Sequence, residues 1–381
     1  MPKKILYFKI GLNSNTNLRV YEQLKIHFSE HEVLEVEVMD LVNKKWYKFV
    51  NFFYFLWEYG LDFLFLHKSR WTIGDWKRVT SYMFCKMTYE IRKFSAQYDV
   101  LFTFQTGSVF DASLPQIPHF VYTDSTVLAN LYYPGVNKRQ VFKSKQWMRH
   151  EPEIYHNATL NLLFSTNQQK SLVEQYGIDT EKTRCVNAGS NSLFDELQNI
   201  GKTYDKKIVL FVGVNWERKG GLVLSKAFNK VLEKVPDAKL LIIGVSEKIV
   251  KHFSPDINLS SCIIKGRIPV EEVEQYYREA TVFCMPTRIE PFGIVFIEAM
   301  YRKLPVITSN IGAIPDFIKH GVNGYMFQPD DVASLSNAMI ELLNDPEKCK
   351  MMGEAGYHIA KNNYSWNNTG KLFKEHISKY I

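Results

Sequence analysis

The sequence predicts an α/β protein made of two halves, each a doubly wound parallel sheet. Three observations carry that prediction. Short, nearly all-apolar runs alternate with stretches of helix length along the chain. Several of these runs stop at a glycine or a proline, as strands covered on both faces do. The 381 residues are long for one domain and comfortable for two. The polar residues 198–205 read as the hinge between them. The expected division is residues 1–200, residues 201–364 and a terminal helix over residues 365–381.

In the first half, residues 5–8 form a strand that ends in a loop with Gly11. Residues 21–27 have helical spacing, and residues 33–38 alternate like a strand. A helix over residues 77–94 leads into a strand at 99–104. Residues 117–122 are the next strand, ending at Thr123-Asp124-Ser125-Thr126, where Asp124 can cap a helix. Residues 160–164 make a buried strand, after which Ser165-Thr166-Asn167 cap a helix that runs to Tyr176 and closes at Gly177.

Two stretches break this pattern. Residues 44–70 crowd aromatic and aliphatic side chains, among them Trp46, Phe49, Phe53 and Trp57, with Lys44, Lys45, Lys48, Lys68 and Arg70 at the flanks. That composition fits a core helix pair packed through its rings. It equally fits an interfacial amphipathic segment with lysines toward anionic lipid. Residues 138–149 carry Lys138, Arg139, Lys143, Lys145 and Arg149, no acids, and Trp147. They read as a solvated basic face or as a seat for a phosphate or lipid headgroup.

In the second half, strands are expected at residues 208–212, 239–243, 262–264, 282–285 and 305–308. Leu224, Ala227, Phe228, Val231, Leu232 and Val235 give a helical face that stops at Pro236. The run at 281–286 is followed by the loop Thr287-Arg288-Ile289-Glu290-Pro291-Phe292-Gly293 and by a helix with almost no polar face. Open parallel sheets bind ligands at the carboxyl ends of their strands, which is where Glu290 falls. Pro291 and Gly293 fit a helix start, whose N–H groups make an anion site. Glu298 lies inside that apolar helix and needs a partner, either a core arginine or a functional one. Earlier, the strand at 208–212 ends at Gly213, and the loop Val214-Asn215-Trp216-Glu217 delivers Arg218 and Lys219 before Gly220-Gly221. Two cations before a helix at a strand's carboxyl end make an anion pocket; the plainer reading is a solvated turn. Gly201-Lys202-Thr203 mimics the end of a P-loop, but Glu196 stands where its glycine belongs.

The composition is that of a globular protein: 46% apolar, 23% charged and 14% aromatic, with a net charge of +7 that does not by itself imply nucleic acid. Five scattered cysteines (Cys85, Cys185, Cys262, Cys284, Cys349) show no metal spacing, and most are expected to be inert core thiols in a reducing compartment. The first apolar run is too short for a signal peptide, and no charge-free stretch has transmembrane length. A cytoplasmic protein, peripheral on a membrane at most, is expected.

Glu290-Pro291-Phe292-Gly293 followed by Glu298 resembles the two-glutamate motif of the GT4 retaining glycosyltransferases, which have the GT-B fold of two Rossmann-like domains facing a central cleft. The resemblance covers most of residues 205–365 and is weaker before them. It implies a nucleotide-sugar donor (UDP- or GDP-sugar), a sugar, lipid-linked or polysaccharide acceptor hydroxyl, and no cofactor. Glu290 would contact sugar hydroxyls, Phe292, Gly293 and Ile294 would offer backbone N–H groups, and Glu298 would hold the ribose. The base would rest on backbone at Gly266-Arg267-Ile268. Gly213, Arg218 and Lys219 resemble the family's diphosphate motif, with Val214 at its usual arginine position, Arg218 as the substitute, and Lys219-Gly220 matching as they stand. Where the family has paired glycines after its first strand, this chain has Gly11 and then Leu12. Where many members have a sugar-contacting histidine, it has Asp124. No Asp-x-Asp metal clamp lies near either site, so no metal is expected and the protein supplies the positive charge itself. The acceptor would belong to the first domain.

Other readings start from the same residues. An epimerase would release product without an acceptor, and a phosphorylase would need a cofactor lysine that the sequence does not identify. A nucleotide-binding module would lack turnover. A Rossmann oxidoreductase is disfavoured because no Gly-x-Gly-x-x-Gly follows a strand.

Overall fold

Each half of the chain organises around its own six-stranded sheet, and in both sheets every pairing is parallel. The computed structural model describes residues 3–11, 15–60, 78–131, 133, 144–190 and 202–381. Leu12, residues 61–70 of the aromatic stretch, Lys138, Arg139, Lys143 and residues 198–201 lie outside them. Residues 1–132, 136–188 and 366–381 form one compact unit, and residues 133–135 with 189–365 form the other.

The first sheet comprises β1 (Lys4–Lys9), β2 (Glu32–Glu37), β3 (Val100–Thr106), β4 (His119–Thr123), β5 (Leu160–Leu163) and β6 (Thr183–Cys185), in the order β2-β1-β3-β4-β5-β6. The order reverses between β1 and β3. β4 and β5 are buried along their whole length, which is why they read as apolar runs. Around the sheet lie α1 (Thr16–His27), α2 (Lys45–Tyr59), α3 (Ser81–Ser95), α4 (Glu151–Asn157) and α5 (Thr166–Tyr176). Ser165 caps α5, and Gly177, at φ +67°, ends it. The α3 helix starts at its cap Thr80, later than the pattern placed it, because that side chain accepts from Met83 N–H at 3.1 Å.

The second sheet comprises β7 (Ile208–Val212), β8 (Lys239–Ile243), β9 (Cys262–Gly266), β10 (Val282–Met285), β11 (Val306–Ser309) and β12 (Gly324–Phe327), in the order β12-β11-β10-β7-β8-β9. Read from β9, this is the 3-2-1-4-5-6 order of dinucleotide-binding sheets, with its reversal between β7 and β10. The longer helices of this unit are α6 (Gly221–Lys234), α7 (Val270–Glu279), α8 (Ile294–Tyr301), α9 (Val332–Asn344) and α10 (Pro346–Asn363). Leu224, Ala227, Phe228, Val231 and Val235 are buried, as the spacing predicts. The terminal helix α11 (Trp366–Ile377) belongs to the first unit and packs on α1.

Two expectations need correction, and a third residue finds its role. Trp147 is not part of a basic surface: it is buried in the core with Phe55, Tyr155 and Leu172, while Lys145 and Arg149 are exposed around it. Only Cys284 and Cys349 are buried; Cys85 is exposed and the other two are half-buried. Burial pushes the Cys349 thiol up to about 12, so that sulfur is inert. Lys202, in the stretch that mimics a P-loop, instead caps α7. Its Nζ donates to the carbonyls of Tyr277, Arg278 and Ala280 at 2.7, 2.9 and 2.6 Å, satisfying orphan acceptors at a helix C-terminus.

Candidate functional site

The reversal in the second sheet brings two loops together at its carboxyl edge: residues 213–220 after β7 and residues 286–293 after β10. The first loop is a tight turn. Asn215 Oδ1 accepts from Arg218 N–H at 2.8 Å, and Lys219, Gly220 and Gly221 donate back to the carbonyls of Asn215, Glu217 and Trp216. Gly220 sits at φ +78°, and a Cβ there would lie 1.8 Å from the Pro286 carbonyl oxygen, so only glycine lets the loops touch.

The loops are bonded to each other. Arg288 N–H donates to Arg218 O at 2.9 Å, Thr287 Oγ1 donates to the same oxygen at 3.3 Å, and Arg218 Nη1 donates to Ile289 O at 2.6 Å. At the centre, Lys219 Nζ donates to Glu290 Oε2 in an ion pair whose members are 8% and 6% exposed. Burying two charges is costly unless they are paired, and this pair joins the first loop to the second. The plainer expectation for Arg218 and Lys219, a solvated turn, therefore fails for Lys219.

Glu290 is held on its other side as well. Tyr133 Oη donates to the Glu290 carbonyl at 2.9 Å, and a Cβ on Gly312 (φ +54°) would fall 2.2 Å from that oxygen and 2.7 Å from the tyrosine. Phe292 is buried against Phe317 and Tyr364, with ring centroids 5.8 and 6.3 Å apart. Gly293, at φ +98°, is the N-cap of α8 and its carbonyl accepts from Phe296 N–H at 2.9 Å, so the start of that helix at Ile294 follows directly on the Glu290 loop.

Glu298, half-buried one turn from the end of α8, accepts from Tyr277 Oη at 3.3 Å. The arginine of this region, Arg302, makes its ion pair with Glu274 at 2.6 Å and donates to the Glu298 backbone carbonyl. Gly213 ends β7 against Gly244, where a Cβ would meet Gly213 O at 2.5 Å. Val214 is exposed. Arg267 and Ile268 follow β9, two strands from β7 on the same carboxyl edge, exposed and half-exposed respectively. Among the described residues, no group of three His, Cys, Asp or Glu side chains could hold a metal ion.

In the first unit, Gly11 follows β1 at φ +62°. Its N–H donates to Glu37 Oε2 at 2.8 Å, and its carbonyl accepts from Asn17 Nδ2 at 2.7 Å. Asp124 follows β4 and is half-buried. The helix after it is capped by Thr126, whose hydroxyl accepts from Ala129 N–H at 3.1 Å. Glu151, fully buried, takes Val127 N–H, Tyr155 Oη and Tyr176 Oη at 3.0, 3.1 and 2.5 Å and fixes the start of that helix.

Sequence reading missed Tyr133, Thr287, Gly312 and Tyr277. Asn215 could have been found, since an asparagine three residues before a turn amide is a local capping signal. The others act through contacts that no local pattern encodes.

A sheet in the 3-2-1-4-5-6 order, with a cation, a carboxylate and a helix N-terminus at its switch point, has the arrangement that nucleotide-binding α/β domains share. Residues 194–359 match the family of glycosyl transferases group 1. The whole chain has the GT-B fold. It superposes on the Anabaena HepE protein in complex with UDP and glucose with a TM-score of 0.66, at 15% identity over 99% of both chains. It superposes on sucrose-phosphate synthase from Thermosynechococcus elongatus with a TM-score of 0.63, at 22% identity over 78% of both. In sequence, it is 28% identical over 212 residues to a GDP-mannose-dependent α-(1-6)-phosphatidylinositol monomannoside mannosyltransferase of Mycolicibacterium smegmatis, covering 53% of this chain and 54% of that one. It is also 28% identical over 249 residues to a D-inositol 3-phosphate glycosyltransferase of Corynebacterium urealyticum, covering 59% and 58%. The chain thus spans somewhat over half the length of these relatives.

Proposed function

We propose that the protein is a retaining glycosyltransferase that moves a hexose from a UDP- or GDP-sugar to an acceptor hydroxyl. The observation that carries this reading is the buried Lys219–Glu290 pair, which bridges the two loops of the switch point. A donor diphosphate at that edge competes for the Lys219 ammonium and lies at the α8 N-terminus. The Glu290 carboxylate is then released to accept hydroxyls of the sugar. Breaking the bond between the anomeric carbon and the diphosphate leaves negative charge on the departing oxygen. Lys219 and the helix N–H groups are already oriented to stabilise it, and removal of one such donor typically costs about 3–4 kcal/mol of barrier. Arg218 adds charge and, through Ile289 O, holds the Glu290 loop in register. Glu298, which accepts from Tyr277 Oη, takes the ribose hydroxyls in this reading. The acceptor in this reading is a sugar, a polysaccharide or a lipid-linked glycan, and the relative named for phosphatidylinositol monomannoside supports the lipid-linked case.

The test is release of nucleoside diphosphate from a panel of nucleotide sugars in buffer containing EDTA, with the anomeric configuration of any product read by proton NMR. The wild type turns over at least one donor in EDTA with retention, and Glu290→Gln slows it roughly a hundredfold while the protein stays folded. A fully active Glu290→Gln, or activity lost in EDTA and restored by Mg²⁺ or Mn²⁺, overturns the respective assignment.

A further inference from the structure

Helix α2 carries a face of large apolar side chains that stands in solvent. Trp46 and Trp57 are each 66% exposed, Phe49 and Phe53 57% and 55%, and Phe52 and Leu56 are also exposed. At 100° per residue these six fall in a stripe about 140° wide. The sequence left open whether they pack inside or meet a surface, and the opposite face of the helix answers it. Phe55 and Tyr59 are buried, Asn51 Oδ1 accepts from Thr80 Oγ1 at 2.5 Å, and Tyr59 Oη donates to Val79 O at 2.6 Å. Glu58 accepts from Ser81 and from Ser144. These bonds fix the roll of the helix and hold the aromatic stripe outward. Exposed apolar patches of this kind mark interaction surfaces.

The charges around the stripe select the partner. Lys44, Lys45 and Lys48 are exposed at its N-terminal end, and Arg92 and Lys93 of α3 are exposed as well. Lys86 sits over the rings of Tyr47, Tyr82 and Tyr89 at 5.4, 5.4 and 5.9 Å. Among the described acids nearest the helix, Glu90 is buried and takes Lys44 Nζ and Tyr47 Oη, both at 2.6 Å, Glu58 is bound as above, and Asp40 is exposed before the helix. A second copy of this face would set the same lysines against each other. An anionic bilayer instead accepts the rings at its headgroup boundary and the ammonium groups on its phosphates. At about 22 Å the helix is too short to span a bilayer, and no described helix is long and apolar enough to cross one. We propose that α2 docks the protein, lying in the plane of the surface, on an anionic phospholipid membrane. This surface lies in the first unit and stands independently of the donor reading.

The full chain is floated with phosphatidylcholine vesicles made with and without phosphatidylglycerol. The wild type binds the anionic vesicles, and binding falls with salt. Lys45→Ala with Lys48→Ala lowers it roughly tenfold or more. Combined Trp46→Ser, Phe49→Ser, Phe53→Ser and Trp57→Ser lowers it roughly a hundredfold or more, with the unfolding temperature and nucleoside diphosphate release unchanged. As a readout that needs no variant, brominated lipid quenches the tryptophan emission of the wild type. The proposal is overturned if the wild type ignores anionic vesicles at low salt or its emission is unquenched. It is equally overturned if the serine variant floats like the wild type, or if the stripe instead drives a dimer that the serine variant disperses.

Discussion

Lys219 and Glu290 are both nine-tenths buried and bonded to each other, so each is tolerated because the other is present. Removing one member of a buried pair strands a charge, which typically costs about 3–5 kcal/mol, whereas removing both costs much less. Lys219→Met should therefore lower unfolding stability by about that amount, and adding Glu290→Gln should restore a large part of it. Urea unfolding of the two single variants and the double variant measures the coupling. Additive effects would mean that the two side chains do not share the buried site. Both residues were legible in the sequence because each lies on a loop between a recognisable strand and a recognisable helix. Tyr133 was not legible, because its bond to the Glu290 carbonyl spans 157 positions and leaves no local trace.

At the scale of elements, the site exists because the loops after β7 and β10 approach to backbone contact. Gly220 is the closest point of that approach. Gly220→Ala combines a positive φ with a Cβ driven into the Pro286 carbonyl, and it should cost about 3 kcal/mol. The urea midpoint should fall while far-UV circular dichroism of the native state is retained; an unchanged midpoint would mean that the loops are further apart. The strands that position these loops were readable as buried apolar runs. The edge strands β6 and β12, three and four residues long, were not, since Thr-Arg-Cys and Gly-Tyr-Met-Phe carry neither alternation nor a continuous apolar run. The helices α9 and α10 also went unassigned. The exposed stripe of α2 was hidden for the opposite reason: its sequence is apolar nearly all round, so periodicity could not say which face is covered. Only the bonds of Asn51, Glu58 and Tyr59 decide it.

At the scale of the molecule, two parallel sheets follow from composition and alternation, whereas the site depends on strand order, which no run of residues states. The 3-2-1-4-5-6 order of the second sheet puts the Lys219 and Glu290 loops on adjacent strands although 71 positions separate them. That unit carries the family match, and the central claim is that its switch point takes the diphosphate of a nucleotide sugar. The most direct measurement is thermal unfolding of the wild type and of Lys219→Met across a concentration series of UDP-, GDP- and ADP-sugars. A ligand that binds only the native state adds about 2.7 kcal/mol at a hundred times its dissociation constant. The Tm of the wild type should rise with the logarithm of UDP- or GDP-sugar concentration once that exceeds the dissociation constant, and the rise should be displaced to roughly a hundredfold higher concentration in Lys219→Met. No rise with any nucleotide sugar, or the same rise at the same concentrations in both proteins, would contradict it.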